Sequence, residues 1–245
     1  MAKALPLSQI PVFDKNHLPA FDSDFSEGAI FLINKPKGWS SFDVVKFIRS
    51  RIKVKKTGHA GTLDPMATGL LILCCGRATK SISQLQEMPK IYHAEITFGS
   101  ATASYDAESE VTETAPFQHI TMDIIKDALE KHFHGDIEQI PPMYSALKKD
   151  GKKLYELARK GIEIEREARK VTIFDSEITS FDAPVLGVNI HCSKGTYIRS
   201  LAHDLGNILN SKAHLSGLER TAIGSFLSKD ALSPHEFGDF LEKDG

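Results

Sequence analysis

Cysteine is scarce in this chain: three residues in 245, two of them adjacent at Cys74 and Cys75 and the third at Cys192. With no C-x-x-C pair and no regular Cys/His spacing, a zinc site and a disulfide framework are both disfavoured. The thiols read as buried groups of a reducing compartment, and no metal is expected. Long apolar runs are missing too. The longest, Leu70 to Cys75, falls far short of the roughly 20 residues that a membrane span needs. The N-terminal MAKALPLSQIPVF has one lysine and no continuous apolar core, a poor secretory signal, so a cytoplasmic protein is expected. No strand is followed by a glycine-rich phosphate fingerprint, which disfavours nucleotide-cofactor folds. Repeats and low-complexity stretches are absent. Net charge is small, −2 at pH 7, which on its own argues against a polyanionic partner.

What is present is ordinary in bulk and uneven in place. Apolar residues make up 41% and charged residues 25%, the balance of a soluble globular chain long enough for one large domain or two small ones. Charge, however, is segregated. Residues 35–57 hold eight basic side chains against one acid, Asp43, and residues 148–170 hold nine against five. Between them, residues 106–138 are strongly acidic, as is the tail after Lys229. It is the local field that attracts phosphate, so both basic surfaces and merely solvated faces fit this pattern.

The first 28 residues carry scattered prolines and the acids Asp22, Asp24 and Glu27 without a clear period, and read as an irregular arm. AIFLINKP then reads as a strand entering a turn at Lys35-Pro36-Lys37-Gly38. Ser40 is placed to cap the next helix, with Asp43 at its third position favouring the dipole. Phe42, Val45, Ile48 and Ile52 are expected on the buried face of that helix. LLILCC is too short for a helix and reads as a buried strand, with a short helix near residues 78–86 after it. In KIYHAEITFG the alternation puts Tyr92, Ala94, Ile96 and Phe98 on one face. Thr121 is expected to cap a second amphipathic helix carrying Met122, Ile125, Leu129 and Phe133. KVTIFDSEIT and VLGVNIHC alternate as strands. Gly195-Thr196 opens a helix whose buried stripe should be Ile198, Leu201, Leu205 and Ile208. Several strand pairs have no helical crossover between them. A mixed α/β (α+β) fold with a central, mainly antiparallel sheet flanked by helices is therefore expected, rather than a doubly wound parallel one.

Few residues offer chemistry. HAGTLDPMATG, residues 59–69, holds one carboxylate, Asp64. Asp before proline is a common turn initiator, and the residue before proline is pushed out of helical geometry. Yet this loop leaves a basic helix and enters a buried strand, and Gly58, Gly61 and Gly69 let backbone approach a ligand closely. A turn role and a chemical role both fit. Arg199 in KGTYIRSL opens a helix, where a cation opposes the helix dipole. A carboxylate partner such as Asp64 or Asp204 would account for it, and so would plain solvent exposure. Tyr92 points inward, as a core tyrosine or as a pocket wall. His59 reads as a loop residue or a catalyst. None of the four decides the matter alone.

The ensemble does. GHAGTLDPMATGLL closely resembles the catalytic signature of the TruB family of tRNA pseudouridine synthases, and KPKGWSSFDVV resembles that family's N-terminal motif. GRATK, PPMYSALKKDGKKLYELARKGIE and HCSKGTYIRSLAHDLG match further, in the family's order. The resemblance implies a pseudouridine synthase fold over residues 29–226, with an RNA-gripping insertion at 140–168 and the irregular arm at 1–28. Residues 227–245 would be a short acidic tail standing where relatives commonly carry a C-terminal PUA domain.

It also implies an activity: conversion of the uridine at position 55, in the T arm of tRNA, to pseudouridine. A uracil inside a folded loop must be flipped into a pocket before it can react. By the resemblance Asp64 is the essential aspartate, Tyr92 the active-site tyrosine and Arg199 the arginine that pairs with the aspartate. Tyr197 is a further aromatic of the pocket, and His59 is the histidine that fills the space the flipped base vacates. Lys35, Gly61 and Thr62 belong to the substrate-binding motifs, and the basic residues of 148–170 become phosphate contacts. No cofactor and no guide RNA are implied, and a monomer is expected. The competing readings are a tRNA-folding factor that has kept the fold and a guide-RNA-dependent relative.

Overall fold

The computed structural model describes residues 6–19, 23–145, 147–149, 151–158 and 160–242. In chain order the strands begin with β1 (Val12–Phe13), β2 (Ala29–Lys35), β3 (Thr57–His59), β4 (Thr68–Cys75) and β5 (Lys90–Phe98). They continue with β6 (Ser100–Thr102), β7 (Val111–Thr114), β8 (Gly135–Gln139), β9 (Lys148–Lys149) and β10 (Lys152–Lys153). The last four are β11 (Arg169–Asp182), β12 (Val185–Cys192), β13 (Ala213–Ile223) and β14 (Phe226–Leu227). The helices are α1 (Ser41–Ile52), α2 (Ile82–Glu87), α3 (Met122–His132), α4 (Leu154–Ala158), α5 (Ile198–Ile208) and α6 (Pro234–Glu242). The chain forms two compact units, residues 1–92 with 219–245, and residues 93–218. Strands β5 and β13 contribute residues to both.

The first unit is organised around β4. Its strand order is β1-β2-β4-β13, with β3 also on β4 and β14 on β13. Strand β4 pairs antiparallel with the whole of β2 from Gly69 to Cys75, and parallel with β13 at Thr68 and Gly69. Because side chains alternate across a strand, the run LLILCC feeds two cores. Leu71, Leu73 and Cys75 pack with Val44, Val45, Ile48 and Ile52 of α1, while Leu70, Ile72 and Cys74 pack with Ala78, Leu85 and Ile223. Burial on both faces explains why this strand reads as continuous apolar sequence. It also pushes the Cys74 thiol up to about 12 and the Cys75 thiol up to about 11. All three cysteines are buried, and none is in a disulfide.

Helix α1 starts as expected. The Ser40 hydroxyl accepts from the Asp43 N–H at 3.1 Å, and the Asp43 carboxylate accepts from the Ser40 N–H at 2.9 Å, closing a capping box. Its buried stripe is Ser41, Val44, Val45, Ile48 and Ile52. Phe42 was expected there and is 62% exposed. It projects roughly a quarter-turn away from the stripe at 3.6 residues per turn. The chain after residue 226, read from composition as an acidic tail, packs back on this unit through α6. Phe237 is fully buried, its ring 5.1 Å edge-to-face from Phe31. At the other end, Val12–Phe13 of the N-terminal arm lies parallel to β2. Residues 1–5, 20–22 and 243–245 of the arm and tail lie outside the described residues.

The second unit has strand order β13-β5-β12-β11-β8. Strand β11 pairs antiparallel with both β12 and β8. The alternation of β5 is as expected, with Tyr92, Ala94, Ile96 and Phe98 all buried. Helix α3 is capped by Thr121, whose hydroxyl accepts from the Ile124 N–H, and it packs on α5 and β11. Helix α5 buries Ile198, Leu201 and Leu205, but Ile208 is 38% exposed and Leu209 takes its place in the stripe. A mixed fold with a mainly antiparallel sheet is what forms.

Large-to-small change at a fully packed ring leaves a cavity, so Phe237→Ala should cost about 3–5 kcal/mol of stability. Phe42→Ala should cost less than about 0.5 kcal/mol. Guanidinium unfolding midpoints at unchanged slope measure both. Equal losses would mean that the C-terminal helix does not pack as described.

Candidate active site

The loop carrying Asp64 joins β3 to β4, two strands that pair antiparallel with each other. His59 of β3 sits opposite Leu73 of β4, and Arg220 of β13 sits beside Gly69 on the same edge. Within the loop Ala60, Leu63, Met66 and Ala67 are buried, Thr62 and Pro65 are exposed, and Asp64 is half-buried. The Ala67 N–H donates to the Asp64 carbonyl at 3.1 Å, so Asp64-Pro65 does initiate a turn. The turn role expected from Asp-Pro is real, and it leaves the carboxylate at the rim of an anchored loop.

Three side chains anchor that loop from beneath. Lys35 ends β2 and is fully buried, and its ammonium donates to the carbonyls of Pro36 at 3.1 Å, Trp39 at 2.6 Å and Pro65 at 3.2 Å. Its three N–H donors thus meet three acceptors, which a cation away from water requires. Pro65 O also accepts from the Gly38 N–H at 2.8 Å. Ser41 of α1 is bonded twice to one residue: its hydroxyl donates to Leu63 O at 3.1 Å and accepts from Leu63 N–H at 2.8 Å. Arg220, 1% exposed, donates through Nε to Leu70 O at 2.8 Å and through Nη2 to Gly61 O at 3.1 Å. Its Nη1 reaches Thr62 O at 3.5 Å. The KPKGWSS and GHAGTLDP segments, separate in sequence, are therefore one hydrogen-bonded structure.

Two glycines are needed for this. Gly61 has φ +105° and Gly69 φ +97°, which favour glycine, and a Cβ on Gly69 would collide with the backbone of Arg220. Burial and then the Arg220 charge hold His59 below its ordinary pKa, against a backbone hydrogen bond at Gly61 that works the other way. Its imidazole is neutral at neutral pH.

In the second unit, Tyr197 and Arg199 stand at the start of α5. Gln139, 1% exposed, accepts from the Tyr197 N–H at 2.8 Å and donates to the Tyr197 carbonyl at 3.0 Å. The Arg169 guanidinium lies 4.8 Å from the centre of the Tyr197 ring. Arg199 is buried, so the solvent-exposed reading is wrong. It meets the carboxylate of Asp106 at 3.3 Å and donates to Ser104 O at 3.1 Å and Tyr144 O at 2.8 Å. Asp106 is itself buried and accepts from the Glu108 N–H at 3.0 Å. A cation opposing the helix dipole is thus offset by a buried carboxylate 93 residues earlier. Asp204, the local acid considered for that role, has a carboxyl that burial alone pushes up to about 6.

The first unit therefore gathers Lys35, His59, Gly61, Thr62 and Asp64, and holds Tyr92, 9% exposed, on β5. The second holds Tyr197 and Arg199 side by side. Of the expected RNA-gripping insertion, Ala146, Asp150 and Arg159 lie outside the described residues. Within it Arg166 donates to Pro141 O at 3.2 Å and pairs with Glu163 at 3.2 Å. Among the described residues no cluster of three His, Cys, Asp or Glu side chains could hold a metal ion, and no helix is long and apolar enough to cross a membrane.

A family model for the N-terminal domain of TruB family pseudouridylate synthases matches residues 49–198. The chain belongs to the TruB family. It is 48% identical over 226 residues to tRNA pseudouridine synthase B of Parabacteroides distasonis, covering 90% of this chain and 96% of that protein. It is 50% identical over 204 residues to the protein of that name from Clostridium kluyveri, covering 83% of this chain and 70% of the other. Among solved structures, Cbf5 of a Cbf5-Nop10-Gar1 complex superposes with a TM-score of 0.71 at 26% identity, over 95% of this chain and 60% of the solved one. Family membership makes the chain a pseudouridylate synthase, an isomerase.

Sequence reasoning missed Ser41, Asp106, Gln139 and Arg220. Each acts on a partner far along the chain, with 150 residues between Arg220 and Leu70. Ser41 lies within the KPKGWSSFDVV motif, but nothing local marks its role or singles out Asp106, Gln139 and Arg220.

Asp204 gives a pH signature. Its raised pKa means that the folded state holds the proton more tightly than the unfolded chain does. The stability this contributes is complete below about pH 4, the ordinary carboxyl range, and is lost as pH rises through about 6. Asp204→Asn should therefore be more stable than the parent at pH 8 by about 1–2 kcal/mol, a figure reduced for the water that reaches a half-buried carboxyl. The gain should shrink steadily towards pH 5 in thermal melts. A gain that did not change with pH would rule out the buried carboxyl as its cause.

Proposed function

We propose that this chain isomerises the uridine at position 55, in the T arm of tRNA, to pseudouridine. The observation that carries the reading is Asp64, a single carboxylate at the rim of a loop whose backbone is fixed at Gly61, Leu63, Pro65 and Leu70. Relatives named tRNA pseudouridine synthase B, at 48% identity over 96% of one such protein, support tRNA as the substrate.

The reaction needs no redox step and no outside nucleophile. The C1′–N1 bond of the nucleotide breaks, the uracil turns, C1′ bonds to C5, the C5 hydrogen leaves as a proton, and N1 takes up a proton in its place. The uridine must first be extruded from its loop, where an aromatic face can receive it. Tyr92 and Tyr197 are proposed as those faces, with Tyr92 also acting in proton transfer. His59, neutral at neutral pH, fills the space that the base vacates. Asp64 starts the rearrangement, and attack at C1′, attack at C6 and a glycal-like path all begin at this carboxylate. Arg199, fixed by Asp106, is proposed as the cation that favours its ionised form. Action as a monomer without a guide RNA, in the cytoplasm, completes the proposal. Cysteines outside any disulfide suit a reducing compartment.

The test is tritium release from tRNA labelled at C5 of uridine, with no guide RNA present. The parent should release label, and Asp64→Asn should lose at least about a thousandfold in rate while binding tRNA within a few-fold of the parent. A parent that binds tRNA and releases nothing would leave only the binding-factor reading. An active Asp64→Asn would refute the assignment of the carboxylate.

A further inference from the structure

We propose that Arg220 is the positioning residue for Asp64, holding the two ends of its loop at one fixed separation. This rests on the reading of Asp64 as the reacting carboxylate. Three observations lead to it. First, the guanidinium reaches both ends of the loop at once, Gly61 and Thr62 at the start and Leu70 just past its end. Second, the side chain is 1% exposed and all three of these bonds run to backbone carbonyls, so its planar fork reads the loop's backbone path rather than any side chain. Third, the Arg220 backbone lies so close to Gly69 that a Cβ there would collide with it, which fixes the loop's exit as the guanidinium fixes its entry. The Arg220 charge also reaches His59, which it helps to keep neutral.

The division of labour with Lys35 and Ser41 is geometric. Those two hold the middle of the loop, at Pro65 and Leu63, from β2 and α1. Of these three side chains, Arg220 is the one that spans its ends, from β13. A lysine at 220 would keep the charge but has a single nitrogen at its tip, and could not bond Leu70 and Gly61 in the same fork geometry. The loop ends would then be free to shift, and a displacement of about 1 Å in a reacting group costs on the order of a hundredfold in rate. Gly61 and Thr62 supply only part of the expected substrate contacts, so the loss should fall on rate far more than on affinity.

Arg220→Lys and Arg220→Gln, with Asp64→Asn alongside, test this through thermal melts, tRNA affinity by filter binding, and single-turnover tritium release. The expected result is a folded Arg220→Lys with tRNA affinity within about threefold of the parent and a single-turnover rate lower by about 30- to 100-fold, Arg220→Gln being lower still. A rate within threefold of the parent in Arg220→Lys, or a loss that lies in binding alone, would overturn the proposal. So would failure of Arg220→Lys to fold, since Arg220 would then be a determinant of folding and not of loop position. An active Asp64→Asn would instead overturn the reading of the loop on which the proposal stands, whatever the Arg220 variants do.

Discussion

Buried cations bonded to backbone carbonyls are the constraint on which the first unit depends. Taking an ammonium or a guanidinium out of water costs several kcal/mol unless its donors are met by acceptors in good geometry. Lys35 and Arg220 are both essentially inaccessible, and the acceptors shown for them are main-chain oxygens of the turn after β2, the Asp64 loop and the start of β4. The dependence runs both ways. The cations are tolerable only if those carbonyls converge on them, and the carbonyls converge only if the loop follows one path. A loop of eight residues between two strands, which would otherwise be a mobile connection, becomes as determined as the strands it joins. Asp64 gains a fixed position without having to be part of a strand or helix.

The second unit solves a related problem with opposite charges. Arg199 faces the wrong end of the α5 dipole, and Asp106 balances it in a pair where both partners are buried. Such a pair adds little net stability, but removal of either partner leaves an unmatched charge inside. Its value lies in fixing where the guanidinium stands. Gln139 does the same for Tyr197 through two bonds to its backbone, which also supply a partner for an N–H at the start of α5. In both units, then, the side chains proposed for chemistry are placed by polar contacts made to the backbone or to the charge next to them. The apolar cores hold the strands and helices, and the polar contacts set the angles.

How much of this could be read beforehand depends on the range of the contact. The β4 run, the Ser40–Asp43 capping box, the Thr121 cap and the alternation of β5 were all legible, because each follows from a period or a signal within a few residues. Phe42 and Ile208 were misplaced because a helix phase estimated from apolar residues alone is uncertain by about a quarter-turn where Ser41 or Leu209 completes the stripe. The packing of Phe237 on Phe31 was hidden by the acidic composition around it. At the site, the roles proposed for Asp64, Tyr92 and Arg199 come from family resemblance and not from local rules, which leave each of them an ordinary alternative, and Tyr197 comes from the resemblance alone. What no local rule could supply was Asp106 for Arg199 and Arg220 for the loop. Both partners are ordinary in their own sequence context and exceptional only once the chain has folded.

The most direct measurement is amide hydrogen exchange of the parent protein, read at Leu63 and Ala67, whose N–H groups bond to the Ser41 hydroxyl and the Asp64 carbonyl. If buried cations and Ser41 hold this loop as firmly as the sheet holds β4, both amides should exchange only when the unit unfolds, at rates matching those of Leu71 and Leu73. Exchange at the rate of an exposed loop, while the amides of β4 stay protected, would contradict the claim that Asp64 stands on a rigid platform.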